Sequence, residues 1–370
     1  MEIPYPFPTL WINGRTVSLE KILHEKEIAH TPFEVNTFQF IREWSSGAEE
    51  FRLTTSGSTG EPKIIPVTKA QMVSSARKTF EKAQLRDITT GLVCIDTKYI
   101  GGKMMLARCL TLGLRIVAVE PSSNPLIKIP VDKCVQFTAV VPYQVTSILE
   151  SKHPHLLNNL EKVLIGGAPL SHASAEQLDR FQCQFFETYG MTETISHIAL
   201  RVVNGKMKQQ YFETLPGVEI SADDRGCLVV KADHLPGPVV TNDLADIVAP
   251  GRFLWLGRWD SVINTGGVKV MPEKIEKALE TIFQKHNLAN RYFIAALPDE
   301  RLGNKVVLVM EGVQMSSELL NQSLTALKSV LSPFEFPKEV YSIPQFVMTP
   351  TQKIDRIQTL AGVTLVSSLK

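Results

Sequence analysis

The sequence predicts a large α/β domain, built of parallel sheets with covering helices plus a β-rich subdomain, followed by a small α+β domain. Three observations carry that prediction. Between about residues 50 and 181, short apolar runs of strand length alternate with helical stretches, the pattern of βαβ units. After about residue 195 the texture changes to short strands broken by Gly, Pro and Asp turns. The length, 370 residues, is two to three times the ~150-residue prior for one domain, so more than one hydrophobic core is expected. The boundary falls near Gly257 to Asp260, which gives domains of 1–257 and 258–370.

Taken in order, Ile64-Ile65-Pro66-Val67 reads as a strand of the series, and Thr68 as the cap of a helix reaching about Gln84. Gly91 to Ile95 is the next strand, followed by a helix from Lys103 to Leu112. Arg115 to Val119, Phe137 to Val141 and Val163 to Ile165 continue the strands. Helices at Tyr143 to Glu150 and, behind a Ser171 cap, at Ala173 to Phe181 separate the later ones. Val218 to Ile220, Cys227 to Val230 and Phe253 to Leu256 are the short strands of the β-rich part. Pro272, suited to the first helical position, opens an amphipathic helix to about His286. Ile294 to Leu297 and Val306 to Met310 are strands joined by a turn at Pro298 to Gly303, and a last helix covers Ser317 to Leu331.

Composition narrows the function. Hydrophobic residues at 44% and charged residues at 21% are those of a globular chain, which excludes disorder and fibrous repeats. Thirty-nine basic residues against 38 acidic ones leave +1, with no electrostatic footprint for nucleic acid or anionic lipid. Cys94, Cys109, Cys134, Cys183 and Cys227 lie far apart without a CxxC pair, so reduced thiols are expected rather than a disulfide framework or zinc knuckle. Glu2, Pro4, Pro6 and Pro8 give no signal-peptide pattern. The uncharged stretch from Cys134 to Leu149 is too short and polar to span a bilayer. A soluble cytoplasmic protein is expected. The histidines show no metal spacing, and none, His197 included, receives a role. The oligomeric state stays open, a homodimer included.

Four strings carry chemistry. Thr54-Thr55-Ser56-Gly57-Ser58-Thr59-Gly60-Glu61-Pro62-Lys63 packs hydroxyls and glycines into a turn between extended segments. Small residues there let backbone N–H groups approach an anion, so the turn can cradle phosphates; as composition alone it is equally a surface turn. Tyr189-Gly190-Met191-Thr192-Glu193-Thr194 ends the apolar run at Phe185-Phe186, where ligands bind in open α/β sheets. Glu193 suits Mg²⁺, which takes one or two carboxylates plus substrate phosphates; the plain alternative is a polar loop starting a helix capped by Thr192. The third string joins Gly257-Arg258-Trp259-Asp260 to Ile263 through Val270, with Thr265-Gly266-Gly267 at its centre. The fourth is Thr349-Pro350-Thr351-Gln352-Lys353-Ile354-Asp355-Arg356.

In this order, over about residues 50 to 360, the four strings resemble the core motifs of the adenylate-forming superfamily of acyl-CoA ligases, adenylation domains and luciferases. The resemblance implies that family's fold, with a mobile C-terminal domain and a shortened N-terminal part, and ATP, Mg²⁺ and coenzyme A as reactants. It implies that Thr55, Ser56, Gly57, Ser58, Thr59 and Gly60, with Lys63 following, hold the ATP phosphates. Thr192 would contact phosphate and Glu193 would bind Mg²⁺. Asp243 would hold the ribose, with Arg258 beside it. Gly166, Gly167, Tyr189 and Gly190 resemble the strip lining the adenine and acyl pockets, Gly166 and Gly190 on the acyl side. Asp260 falls on the hinge and Lys353 on the catalytic lysine. Gly266 and Gly267, lacking side chains, would let pantetheine pass close to the backbone, although a simple β-turn explains them as well.

Gln352 stands where glycine is usual before that lysine, and Asn264 and Asn242 also depart from the commoner residues. Gly102 to Arg108, Val140 to Val145 and Leu164 to Leu170 resemble segments of the o-succinylbenzoate–CoA ligases of menaquinone synthesis. A dicarboxylate needs one carboxyl to react and a cation for the other, and an arginine fork supplies it. Arg108 is the candidate, against the alternative of an arginine on a solvent-facing helix surface. Tyr99 is the nearest aromatic before that helix. The expected activity is ATP-dependent acid–thiol ligation. Other aryl- or acyl-CoA ligases, carrier-loading adenylation enzymes and a catalytically silent nucleotide-binding homologue stay open.

Overall fold

The computed structural model describes residues 5–54, 64–286, 288, 291–312, 317–349 and 354–369. The predicted phosphate loop from Thr55 to Lys63, and Lys353 with Gln352, lie outside the described residues. The chain forms two compact units: residues 1–221 with 229–239 and 248–253, and residues 222–228 and 240–247 with 254–370.

The first unit opens with the hairpin β1 (Thr9–Ile12) and β2 (Arg15–Ser18), then helices α1 (Leu19–Leu23) and α2 (Pro32–Ser45). Thr31 caps α2 and Pro32 fills its first turn, where the missing N–H has no intrahelical partner to lose. Strands β3 (Glu50–Thr54) and β4 (Ile64–Thr68) pair antiparallel as a separate two-stranded sheet. This corrects the reading of Ile64 to Val67 as part of the parallel series; Pro66 cannot donate to a ladder, which suits a strand with an open edge. Thr68 closes a full capping box with Gln71 at the start of α3 (Lys69–Lys82).

The remaining strands of this unit are β5 (Thr90–Val93), β6 (Arg115–Ala118), β7 (Phe137–Val140), β8 (Lys162–Ile165), β9 (Gln184–Met191), β10 (Ser196–Val202) and β11 (Phe212–Thr214). Helices α4 (Ile100–Leu112), α5 (Pro142–Glu150) and α6 (His172–Leu178) connect them, and Ser171 caps α6 as expected. The sheet order is β2-β1-β6-β5-β7-β8-β9-β10-β11. It is parallel from β1 to β9 and antiparallel from β9 to β11. Strand β10 was not anticipated. Leu92, Val140, Val163, Ile165 and Phe185 of the central strands join one buried cluster with Val145 and Ile148 of α5, each such side chain contributing roughly 1.5–3 kcal/mol by leaving water.

Strands β12 (Val218–Ala222), β13 (Cys227–Ala232), β14 (Val239–Ala249) and β15 (Arg252–Arg258) carry the chain between the units. The second unit continues with the hairpin β16 (Ile263–Thr265) and β17 (Val268–Val270) and helix α7 (Pro272–Lys285). It then adds β18 (Tyr292–Asp299), β19 (Gly303–Glu311), α8 (Ser317–Lys328), β20 (Glu339–Ile343), α9 (Arg356–Leu360) and β21 (Thr364–Ser368). Ile275, Leu279, Ile282 and Phe283, one face of α7, are buried with Ile294, Val306 and Leu308. Asp299 accepts from the Arg301 and Leu302 N–H groups at 2.9 Å, which closes the expected turn between β18 and β19.

All five cysteines are free, and only Cys134 is exposed. Burial pushes the thiols of Cys94, Cys109 and Cys183 up to about 12. No helix among the described residues is long and apolar enough to cross a membrane.

Candidate active site

In the first unit the parallel strands end side by side. β8 runs into Gly166-Gly167 and β9 into Met191, with Ile165 level with Glu187. The sheet order reverses nearby, since the chain steps from β5 to β6 on one side and returns as β7 on the other. Such a crevice beyond the strands' carboxyl ends is where open α/β sheets bind ligands.

The string from Tyr189 to Thr194 is more ordered than a loop: Tyr189, Gly190 and Met191 belong to β9, and Thr192–Thr194 form one 3-10 turn. Thr192 therefore caps no helix, contrary to the plain alternative. Thr192 is buried while Glu193 on the same turn is exposed. The Tyr189 ring packs on Phe212 and Phe253 at centroid distances of 5.8 and 5.0 Å. A single exposed carboxylate just past the end of β9 suits Mg²⁺, which keeps waters and substrate phosphates as its other ligands. Among the described residues no cluster of three or more His, Cys, Asp or Glu would hold a metal on protein ligands alone.

Immediately after the turn, Ile195 and Ser196 adopt φ of 55° and 90°, a region that side chains other than glycine seldom occupy. The backbone there is held from both sides: Ser75 Oγ donates to the Ile195 carbonyl at 3.2 Å, and Thr194 Oγ1 to the Ser196 carbonyl at 2.7 Å. Both hydroxyl residues are 0% exposed.

Arg108 reaches this place from α4. It is 2% exposed, so the solvent-facing alternative does not hold. Its Nη2 donates to Ser196 Oγ at 3.0 Å and to His197 Nδ1 at 3.2 Å, and its Nε has no partner among the described residues. No carboxylate pairs with it among those residues. Burial lowers its pKa to about 10. Burial, and then the Arg108 charge, hold His197 well below the ordinary histidine value, so the ring is neutral near pH 7. Tyr99 is the N-cap residue of the same helix.

In the second unit β14 and β15 bring three predicted residues together. Asp243, 6% exposed, accepts from Trp255 Nε1 at 3.2 Å. Arg258 stands 3.9 Å from Asp243 and clasps Asp260 through Nε and Nη2 at 2.8 and 2.6 Å. That guanidinium holds the Asp260 carboxyl below its usual range. Arg225 Nη1 donates to Asn242, one of the departing residues, at 2.9 Å. Gly266 and Gly267, with φ of 59° and 81°, form the two-residue turn between β16 and β17. Two positive φ values in a row define the hairpin turn that favours Gly-Gly, so the turn by itself accounts for both glycines.

Sequence reasoning missed Ser75, Thr79, Thr194, Ser196 and His197 as parts of this arrangement. The alternating Ile198, Leu200 and Val202 could have revealed β10. Nothing local could have shown that His197 meets Arg108, 89 positions away.

Comparison with known proteins gives the family. The AMP-binding enzyme family profile matches residues 51–237. A solved acyl-CoA synthetase (AMP-forming)/AMP-acid ligase II-like protein from Dyadobacter fermentans is 38% identical, covers 92% of this chain and 97% of its own, and superposes with a TM-score of 0.60. The chain belongs to the AMP-binding enzyme family. A 2-succinylbenzoate–CoA ligase from Bacillus cytotoxicus is 25% identical over 350 residues, 85% of this chain and 71% of the relative. The o-succinylbenzoate CoA synthetase of Bacillus subtilis, solved with its acyl-adenylate intermediate, shares the fold at 19% identity with a TM-score of 0.69 over 83% of this chain and 68% of its own.

Proposed function

We propose that the protein is an ATP- and Mg²⁺-dependent acid–thiol ligase that converts o-succinylbenzoate to o-succinylbenzoyl-coenzyme A. The observation that carries this reading is the buried Arg108 guanidinium, beside the end of β9 and without a carboxylate among the described residues. A buried charge is ordinarily paired. A second carboxylate on the substrate completes the pair, and the 2-succinylbenzoate–CoA ligases among the relatives act on an acid of that shape.

In the first half-reaction the substrate carboxylate attacks the α-phosphorus of ATP and pyrophosphate leaves. In the second, the coenzyme A thiolate attacks the acyl carbon and AMP leaves. Phosphoryl displacement asks the protein mainly for position and opposite charge. The segment from Thr55 to Gly60, with Lys63, supplies donors for the phosphates, and Thr192 adds a hydroxyl. Glu193 holds Mg²⁺, which neutralises phosphate charge when bound. Asp243 and Arg258 take the ribose, and Lys353 brings a mobile positive charge to carboxylate and phosphate. Residues 258–370 form the mobile domain, turning at Asp260 so that Gly266-Gly267 replaces Lys353 for the second step.

Pyrophosphate release over a panel of aromatic and aliphatic mono- and dicarboxylic acids, with and without coenzyme A, tests the reading. The expected result is strongest release with o-succinylbenzoate and a thioester product only when coenzyme A is present. Release without thioester marks a carrier-loading enzyme, preference for another acid changes the substrate, and ATP binding without release on any acid marks a silent homologue.

A further inference from the structure

We propose that His197 is a positioning residue that, as a neutral acceptor, aims the Arg108 guanidinium at the second carboxylate of the acid. The inference rests on the dicarboxylate reading above and names the residue that sets its geometry.

Hydrogen bonding fixes the state of the ring. Arginine only donates, so His197 Nδ1, 3.2 Å from Arg108 Nη2, accepts and carries no proton. The proton of the neutral ring is then on Nε2, which stands 2.9 Å from Thr79 Oγ1. Thr79 spends its own hydrogen on the Ser75 carbonyl at 3.0 Å and so receives the Nε2 proton as an acceptor. The order Arg108, His197, Thr79, Ser75 therefore has one direction of donation throughout. It links α4 to β10 and β10 to α3, and Thr79, Ser75 and His197 are all buried.

A merely space-filling histidine would not require this arrangement. The opposite tautomer would set an N–H against Arg108, and a protonated ring would set a second positive charge there. The neighbouring acceptor, Ser196 Oγ, is presented by a non-glycine residue at φ 90°, pinned through the Ser75 and Thr194 hydroxyls. Strained backbone held by several buried bonds marks functional sites. Both acceptors occupy the same terminal nitrogen, Nη2, and both are neutral. The positive charge is thus oriented without being neutralised, and the rest of the planar fork stays available for a carboxylate.

The test uses the full chain with ATP, Mg²⁺ and coenzyme A, comparing His197→Leu, His197→Asn, Thr79→Val and Thr79→Ser with wild type. Losing one charge-assisted bond is expected to raise KM for o-succinylbenzoate about tenfold in His197→Leu, with KM for ATP within about twofold. His197→Asn, whose Oδ1 can take the place of Nδ1, is expected to recover most of that loss. If His197→Leu does not fold, Thr79→Val, which frees the tautomer, raises the same KM, and Thr79→Ser restores it. Nitrogen NMR of the wild-type ring near pH 7 is expected to show the neutral form protonated on Nε2. An unchanged acid KM in the soluble variants, or a ring protonated on Nδ1, overturns the proposal. Wild-type enzyme that does not use o-succinylbenzoate overturns the underlying reading instead.

Discussion

Gly190 of β9 and His197 of β10 pair so closely that a Cβ on the glycine would stand 2.3 Å from the histidine Cα. The obstacle is backbone, because the Ser196 carbonyl lies equally near at 2.3 Å, and backbone cannot swing aside. Gly190→Ala is therefore expected to part the two strands, costing about 1–3 kcal/mol of stability. It is also expected to weaken acid binding, since Ser196 and His197 carry the partners of Arg108. Urea midpoints together with KM for the acid check this, and an unaltered midpoint refutes the close approach.

Removing the cation that receives the acid gives a second expectation. Arg108→Ala should raise KM for o-succinylbenzoate far more than KM for ATP, by about tenfold or more for a lost bond to charge. Steady-state kinetics with each substrate varied in turn decides it. Equal effects on both would remove Arg108 from the acid pocket.

Lys353, which lies outside the described residues, is the proposed mobile charge of the first half-reaction. Loss of a single charge at a developing phosphoryl transition state typically slows a reaction by about 10²–10³. Lys353→Ala should show that loss in acid-dependent ATP–pyrophosphate exchange, yet turn over a supplied acyl-adenylate to thioester at near wild-type rate. Comparable losses in the two half-reactions contradict domain alternation.

The clasp between Arg258 and Asp260 is partly solvated, with 39% and 37% of the two side chains exposed. Breaking it with Asp260→Ala should cost at most about 1 kcal/mol, a Tm change of roughly 1–2 °C in a chain of 370 residues. As the proposed pivot, it should nevertheless slow thioester formation more than adenylation. Rapid-quench measurement of each step separates these effects. A large Tm loss with both rates intact would make the pair structural.

His197 and His234 both have pKa values below the ordinary histidine value, chiefly through burial. Folded protein then binds fewer protons than unfolded protein below about pH 6.5, so stability falls as pH drops through that value. The slope is at most about 1.4 kcal/mol per pH unit for each group. Urea unfolding at pH 7, 6 and 5 should show the decline, and His197→Asn should flatten it. A pH-independent midpoint across that range would mean the rings protonate freely in the fold.

Much of the fold was legible because its signals are local. Thr68 and Ser171 mark helix starts through their side-chain oxygens and Pro272 through its ring, and Asp299 closes the turn from Pro298 to Gly303. Pairing was less legible. Ile64 to Thr68 carries the same pattern whether it joins a parallel sheet or folds back on Glu50–Thr54, and only the partner decides. In the second unit Asp243, Arg258 and Asp260 lie together, with Arg258 3.9 Å from Asp243 and paired with Asp260. The support for Arg108 was not legible, because the strand at Ser196–Val202 was not anticipated, and without that strand no residue faces the helix that carries Arg108.

The four sealed thiols leave Cys134, on the connection from β6 to β7, as the one thiol that solvent reaches. A maleimide fluorophore consequently has a single address on the native molecule, with no engineering needed. Each molecule that opens surrenders four more, so dye stoichiometry becomes a direct count of the unfolded fraction.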